Sequence, residues 1–220
     1  MPSLLPALQL TRSVLLSLRS LLPLLPSPAY SSPCPAAGAS VGQHSRHLLQ
    51  HIALPLGACE NPEDGRALEY DARGRGEPAE TCPAACAARI DALLSSLSSL
   101  SPPSSSSPVG VSFSLCADPA ASPAAFESTL GREVAFGAHH ALHHLAMIRV
   151  IAEGPVGGLR GRLPEGFGKA PATRQFEAGK GDPKVAAAAS TRRTPTLSLS
   201  EMEERVRELE EENERLRRRP

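Results

Sequence analysis

The sequence predicts an all-α fold in which helices pack against helices. Hydrophobic residues make up 41% of the 220 residues, yet only 3% are aromatic and tryptophan is absent. The core is therefore expected to consist of Leu, Ala, Val and Ile, which suits helix packing better than a β-sandwich. The 22 prolines and 17 glycines predict long irregular connections between the helices.

Composition also excludes several classes of function. The 23 basic and 23 acidic residues give a formal net charge of zero. No overall field then attracts nucleic acid or an anionic membrane, and we expect neither as a partner. The five cysteines are irregularly spaced, unlike the disulfide framework of a small secreted protein. These features favour a cytoplasmic protein.

The amino-terminal segment has two interpretations, because no acidic residue precedes Glu60. Apolar positions at helical spacing predict a first helix from about Leu8 to Leu22. The alternative is a mitochondrial or plastid transit segment, since arginine, serine and leucine are plentiful. Prolines at positions 6, 23 and 26 interrupt the apolar run, so it is too short to span a bilayer.

The second helix is predicted to begin after Ser40, which forms a capping box with Gln43. Pro55 and Gly57 should end this helix. A polar loop, residues 60–81, follows it. Four of its side chains either form a lid over a site or remain solvated: Tyr70, Asp71, Arg73 and Arg75.

A third helix is predicted from Pro83 to about Leu100, with the proline in its first turn, where it costs little. Residues 95–108 are rich in serine and proline and are expected to be disordered. Residues 109–117 alternate weakly and indicate a short extended segment without an evident partner. The fourth helix should begin near Ser128 and end at Gly154.

The predicted domain organisation has three parts. A helical bundle covers residues 1–176, a disordered linker covers 177–199, and a separate coiled-coil-like helix covers 200–220. In that last helix Val206 and Asn213 both fall at heptad position a, which favours a parallel homodimer. A solvated helix without a partner is the alternative.

All seven histidines fall in the second and fourth predicted helices: His44, His47, His51, His139, His140, His143 and His144. At about 100° per residue, His140 and His144 flank the apolar stripe of the fourth helix, in line with Glu133. His139 and His143 point nearly the opposite way and should contact solvent. The clustering indicates a metal site, and the alternative is a set of solvated or hydrogen-bonded histidines.

Two imidazoles at positions i and i+4 can share one ion, so His140 and His144 are the first candidate ligands. The third ligand must come from the second helix, where the helical wheel slightly prefers His44 or His51. Three neutral imidazoles with an open position are typical of catalytic zinc, and suit nickel or iron. Such an ion favours the deprotonated form of water or a thiol. Glu133 is expected to orient a ligand by accepting a ring N–H.

At these residues the sequence resembles the DinB-like superfamily of metalloenzymes, which includes YfiT-type proteins. The resemblance covers roughly residues 8–176. It rests on four segments in the family order: SVGQHSRHLLQH, EYDARGRGEPAET, STLGREVAFGAHHALHHLAMI and LPEGFGKAPATRQF. The HALHH element is the most specific part. The serine-rich insertion and the C-terminal helix depart from the family pattern.

The resemblance implies an up-down four-helix bundle with metal ligands His47, His140 and His144, and it leaves His51 and His44 as alternatives to His47. It also implies a divalent-metal-dependent enzyme, such as a thiol S-transferase or a hydrolase, acting on a small molecule. The thiol would be of low molecular weight, and no catalytic residue is assigned. The alternatives are a non-catalytic metal-binding or scaffold protein that self-associates through its last helix, and a metal-free binder of apolar ligands.

Overall fold

The computed structural model describes residues 3–61, 65, 67–72, 74, 76–101, 103–118 and 120–179. Within these residues the helices are α1 (Leu5–Leu21), α2 (Ser27–Ser31), α3 (Val41–Glu60), α4 (Pro83–Ser99), α5 (Leu130–Glu153) and α6 (Pro171–Gly179). The strands are β1 (Leu68–Glu69), β2 (Pro108–Phe113) and β3 (Ala124–Thr129). They form one three-stranded sheet. The prediction of an all-α, up-down four-helix bundle is therefore wrong.

The four long helices α1, α3, α4 and α5 surround one hydrophobic core. Helix α3 packs against α5 and α4, and α1 packs against the same two helices. Each of the four contributes fully buried aliphatic side chains to this core, among them Leu18, Leu49, Ile90 and Ile148. Burying one such side chain contributes roughly 1.5–3 kcal/mol. The core therefore fixes α3 and α5 against each other.

Helix α3 begins where its capping residues predict and ends later than predicted. The Ser40 hydroxyl accepts the Gln43 backbone N–H, and the Gln43 side chain accepts the Ser40 backbone N–H, which confirms the capping box. Pro55 lies inside α3 and is buried. Burial of Ile52 and Leu56 around it offsets the roughly 3 kcal/mol that an internal proline costs.

The sheet overturns the predicted fold class because the extended segment does have partners. Strand β2 pairs in parallel with β1 and antiparallel with β3 along its whole length. The sequence predicts neither partner strand, because β1 has only two residues and β3 shows no alternation of buried and exposed positions. Leu68, Tyr70 and Val111 are buried together, and Leu54 and Ala58 of α3 pack against them. The sheet therefore places Tyr70 beside α3.

The segment that follows Tyr70 is tied to α3 by two polar side chains. The Arg46 guanidinium forms a nearly buried ion pair with Glu80, with a distance of 2.8 Å from Nε to Oε1. One turn later, Gln50 donates a hydrogen bond of 2.5 Å to the carbonyl of Ala72. These contacts hold the loop against the same helix that carries His47.

The remaining predicted helices are present with shifted ends. Helix α1 buries Val14, Leu15 and Leu18, as its apolar spacing predicts. Helix α5 is capped by Thr129, whose hydroxyl accepts the Arg132 backbone N–H. No helix in the described part of the chain has the length and hydropathy that crossing a membrane requires. All five cysteines are free thiols.

The chain divides after Ala170 into two units. In the second unit the described residues form α6. The predicted helix at 200–220, its homodimer and most of the predicted linker lie outside the described residues, and they stay predictions.

Candidate metal centre

The candidate site lies where α3 and α5 pack together. A Cβ added at Gly137 would lie 2.5 Å from the backbone carbonyl oxygen of His51, so a larger residue there would force the helices apart. Pro55, one turn after His51, has no amide hydrogen to donate to the same carbonyl. Glycine on one helix and proline on the other therefore bring the two histidine-bearing faces into contact.

Of the three ligands implied by the family resemblance, His140 approaches both His47 and His144 through its Nε2 atom. His140 Nε2 lies 3.1 Å from His47 Nε2 and 3.1 Å from His144 Nε2. An imidazole nitrogen carries one hydrogen or one lone pair in the ring plane, so it can form only one linear hydrogen bond at a time. Two imidazole nitrogens that share an ion at about 2.0–2.1 Å are about 2.9–3.4 Å apart at ordinary bond angles. Each of the two pairs, His47 with His140 and His140 with His144, therefore has the spacing of imidazoles that share a metal ion.

His51 belongs to the same cluster. Its ring centroid lies 4.4 Å from that of His47 and 4.1 Å from that of His140. The ligand atoms of His47, His51 and His140 all lie within 4.8 Å of one another, so these three residues could hold a metal ion. His47 and His140 are common to this triad and to the one implied by resemblance. His51 lies beside His47 instead of replacing it.

His44 reaches the cluster from the other side of His144. The Nδ1 atoms of the two rings are 2.9 Å apart. His144 therefore has one ring nitrogen toward His140 and the other toward His44. The two remaining histidines of α5, His139 and His143, are exposed, as the helical wheel predicts.

Burial keeps part of this cluster uncharged. Burial, and next the neighbouring His47 and His140, lower the pKa of His144 to about 3. Burial and the charge of His143 lower the pKa of His44. Both rings are therefore neutral near pH 7, and a neutral imidazole is the form that binds a metal ion.

A buried network supports the His51 side of the cluster. The Tyr70 hydroxyl donates to Glu133 Oε2 at 2.6 Å, and the Tyr70 ring stacks on His51 with centroids 4.9 Å apart. Glu133 Oε1 accepts hydrogen bonds from Ser128 at 2.6 Å and from Arg132 at 2.5 Å. The sequence predicts that Glu133 accepts a ring N–H from a ligand. Its fully buried carboxylate instead holds Tyr70, which in turn contacts His51.

Phe136 lies at the outer edge of the cluster. The residue is 36% exposed, and its ring stacks on His140 with centroids 5.6 Å apart. It also meets the Tyr70 ring edge-on at 5.5 Å. The sequence did not single out Phe136, because one aromatic residue on a helix surface carries no periodic signal. Phe136 places a partly exposed apolar ring directly beside His140.

The polar loop, expected either to form a lid or to remain solvated, is only partly covered by the described residues. Tyr70 is buried and stacks on His51. Asp71 is exposed and accepts the Ser114 backbone N–H. Arg73 and Arg75 lie outside the described residues. The loop thus contributes a supporting ring to the site through Tyr70.

Comparison with known proteins assigns no relative to this chain. No family model, no curated protein and no solved structure matches it.

Proposed function

We propose that this protein is a divalent-metal-dependent enzyme that acts on a small molecule through an ion held by His47, His140 and His144. Zinc, nickel and iron all suit neutral imidazole ligands. One observation carries the proposal: a single nitrogen, Nε2 of His140, lies 3.1 Å from the Nε2 atoms of both His47 and His144. A single linear hydrogen bond accounts for only one of these contacts.

The partial exposure of the three rings supports a catalytic use. Each of the three is half-buried, so the ligands are shielded without being closed off from a substrate. Three imidazoles leave a coordination position open, which is the arrangement of catalytic sites. When bound, such an ion favours the deprotonated form of a thiol or of water.

The reaction proposed is transfer of a low-molecular-weight thiol to an electrophilic carbon. The thiol loses its proton to solvent, its sulfur forms a bond to carbon, and the leaving group departs with the electron pair of the broken bond. Hydrolysis is the corresponding reaction with water. The exposed ring of Phe136 would contact the apolar part of the electrophile. A relationship to the DinB-like superfamily, suggested by the order of the sequence motifs, is part of the same proposal.

The metal site is tested by the metal content of protein purified without a His-tag. Elemental analysis should find one zinc, nickel or iron ion per chain in the wild type. His140→Ala should lose that ion, because both Nε2 contacts depend on this ring. His139→Ala is the matched control, since its ring is the exposed neighbour on the same helix, and it should keep the ion. Equal metal content in the two variants would contradict the proposal.

The reaction is tested by incubating the metal-loaded protein with low-molecular-weight thiols, including glutathione, and electrophilic substrates. Turnover should be lost in His140→Ala and kept in His139→Ala. A wild type that binds the ion but shows no turnover with any thiol or with water would remove the catalytic part of the proposal and leave the metal site.

The second candidate function is metal binding without catalysis, and the position of His51 favours it. If His51 joins His47, His140 and His144, four imidazoles close the coordination sphere, as in structural sites. The visible spectrum of the cobalt-substituted protein distinguishes the two functions. An open site should change its spectrum when a small thiol is added, whereas a closed site should change only after His51→Ala.

A further inference from the structure

We propose that His44 is a positioning residue, which fixes the proton of His144 on Nδ1 and so directs the Nε2 lone pair of His144 at the metal ion. The inference rests on the proposed metal centre and extends it by one residue that the ligand set does not include. Its basis is the 2.9 Å distance between Nδ1 of His44 and Nδ1 of His144.

The geometry of one ring separates His44 from the ligands. The two nitrogens of an imidazole point in different directions, so a residue that meets Nδ1 of His144 cannot share an ion bound at its Nε2. His144 Nε2 faces His140 Nε2 at 3.1 Å. His44 therefore lies outside the coordination sphere, although it belongs to the same histidine cluster.

The hydrogen bond then selects a tautomer. A neutral imidazole has one N–H and one lone pair. For His144 to ligate through Nε2, its proton must lie on Nδ1, where the nearest acceptor is the Nδ1 lone pair of His44. The proton of His44 is then on Nε2, a buried atom without a hydrogen-bond partner among the described residues. With its proton on Nε2, His44 presents the Nδ1 lone pair as the acceptor for His144.

The contact has the geometry of a hydrogen bond and not of ring stacking. The centroids of His44 and His144 are 5.1 Å apart and their planes are inclined by 41°. Both rings are half-buried, and lower local polarity strengthens such a bond relative to water. Outer partners of this kind typically contribute about 10–100-fold to metal affinity.

The experiment measures zinc affinity by competition with a chromogenic chelator in wild type, His44→Asn and His44→Phe. Asparagine keeps an acceptor oxygen near the position of Nδ1, whereas phenylalanine keeps the ring shape without an acceptor. His44→Phe should weaken zinc binding about 10–100-fold, and His44→Asn should restore most of that loss. His139→Phe, a substitution at the exposed position of α5, should bind zinc as the wild type does.

A second readout uses the unaltered protein, so the inference stays testable if a variant fails to fold. Nitrogen-15 NMR of the metal-free wild type should show His144 protonated at Nδ1 and not at Nε2 before any zinc is added. Protonation at Nε2, or equal zinc affinity in wild type and His44→Phe, would overturn the role of His44 while the metal centre stands. A wild type that binds no zinc would overturn the metal centre itself, and with it this inference.

Discussion

Tyr70 connects three parts of the molecule that are distant in sequence. It follows strand β1, its hydroxyl binds Glu133 of α5, and its ring stacks on His51 of α3. The residue is only 6% exposed, so its hydroxyl needs a buried partner, and Glu133 supplies it. The stacked ring limits the positions that His51 can take. Tyr70 thus affects the histidine cluster by packing against His51, which is itself a candidate ligand.

Replacing Tyr70 by phenylalanine separates the hydroxyl from the ring. Tyr70→Phe leaves Glu133 Oε2 without its donor and should reduce the free energy of unfolding by about 1–3 kcal/mol. Zinc affinity should change little, because the ring that stacks on His51 remains. Chemical denaturation and chelator competition measure the two quantities. A large loss of zinc affinity without a loss of stability would show that the hydroxyl acts on the centre directly.

Glu133 should make stability depend on pH on the acid side. Burial alone would raise the pKa of this carboxyl, but the hydrogen bonds from Ser128, Tyr70 and Arg132 outweigh it and lower the pKa below the ordinary 4.5. The folded pKa is thus below the unfolded one, so the contribution is present above pH 4.5 and is lost as the pH falls through the folded value.

Comparing metal-free wild type with Glu133→Gln isolates this effect, since the histidines titrate in both proteins. The difference in unfolding free energy should be largest near neutral pH and should shrink as the pH falls below 4.5, the ordinary pKa of this carboxyl. Denaturant titrations at a series of pH values measure it. A difference that is constant with pH would contradict the ionised, hydrogen-bonded carboxylate.

At the residue scale, the sequence predicts only what is set by local geometry. Positions 140 and 144 lie one turn apart on any helix, so their pairing followed from spacing alone. Which of His44, His47 and His51 faces them depends on how α3 lies against α5, and the sequence left that open. Tyr70 was noted only as part of a polar loop, because its position is set by a strand pairing between distant segments.

At the scale of elements, the contact between α3 and α5 decides the geometry of the site. The contact is close because Gly137 has no Cβ to meet the carbonyl of His51. Neither glycine nor proline is a good helix former, yet Gly137 and Pro55 both lie inside helices here. Their cost in helix propensity is offset by the close packing that they allow.

Gly137→Ala should disturb the site, although alanine forms helices better than glycine. The added methyl group must displace the His51 carbonyl, and the shift of α3 should weaken zinc binding and lower the melting temperature. Gly57→Ala in α3 is the matched control, since nothing lies within 4 Å of its added Cβ. That variant should be neutral or stabilised by up to about 1 kcal/mol. Equal behaviour of the two variants would show that the helix contact is not limiting.

The elements themselves were predictable to different degrees. The capping box involves only Ser40 and Gln43, which are three positions apart in the sequence, and the structure contains it. The end of α3 was misplaced because core burial overrides the preference of Pro55. The sheet was missed because strand pairing is non-local, and its first strand is only two residues long.

For the whole molecule, a bound ion would join two of the helices that enclose the core. Helices α3 and α5 contribute to the same hydrophobic cluster, so a binding site between them exists only in the folded chain. Free zinc at 100 times its dissociation constant should then stabilise the fold by about 2.7 kcal/mol. Thermal unfolding with zinc and with a chelator measures the shift. An equal zinc-dependent shift of the unfolding temperature in His140→Ala would show that zinc binds elsewhere on the protein.

The exposed side of α5 has a practical consequence for handling the protein. His139 and His143 are both exposed and stand one helical turn apart, the spacing at which two imidazoles can chelate one ion. An immobilised nickel resin should therefore retain the untagged chain through this outer pair, whether or not the inner cluster binds metal. Retention of the wild type would therefore report binding by His139 and His143. Retention of a variant that lacks one of these two histidines would instead report binding by the inner cluster.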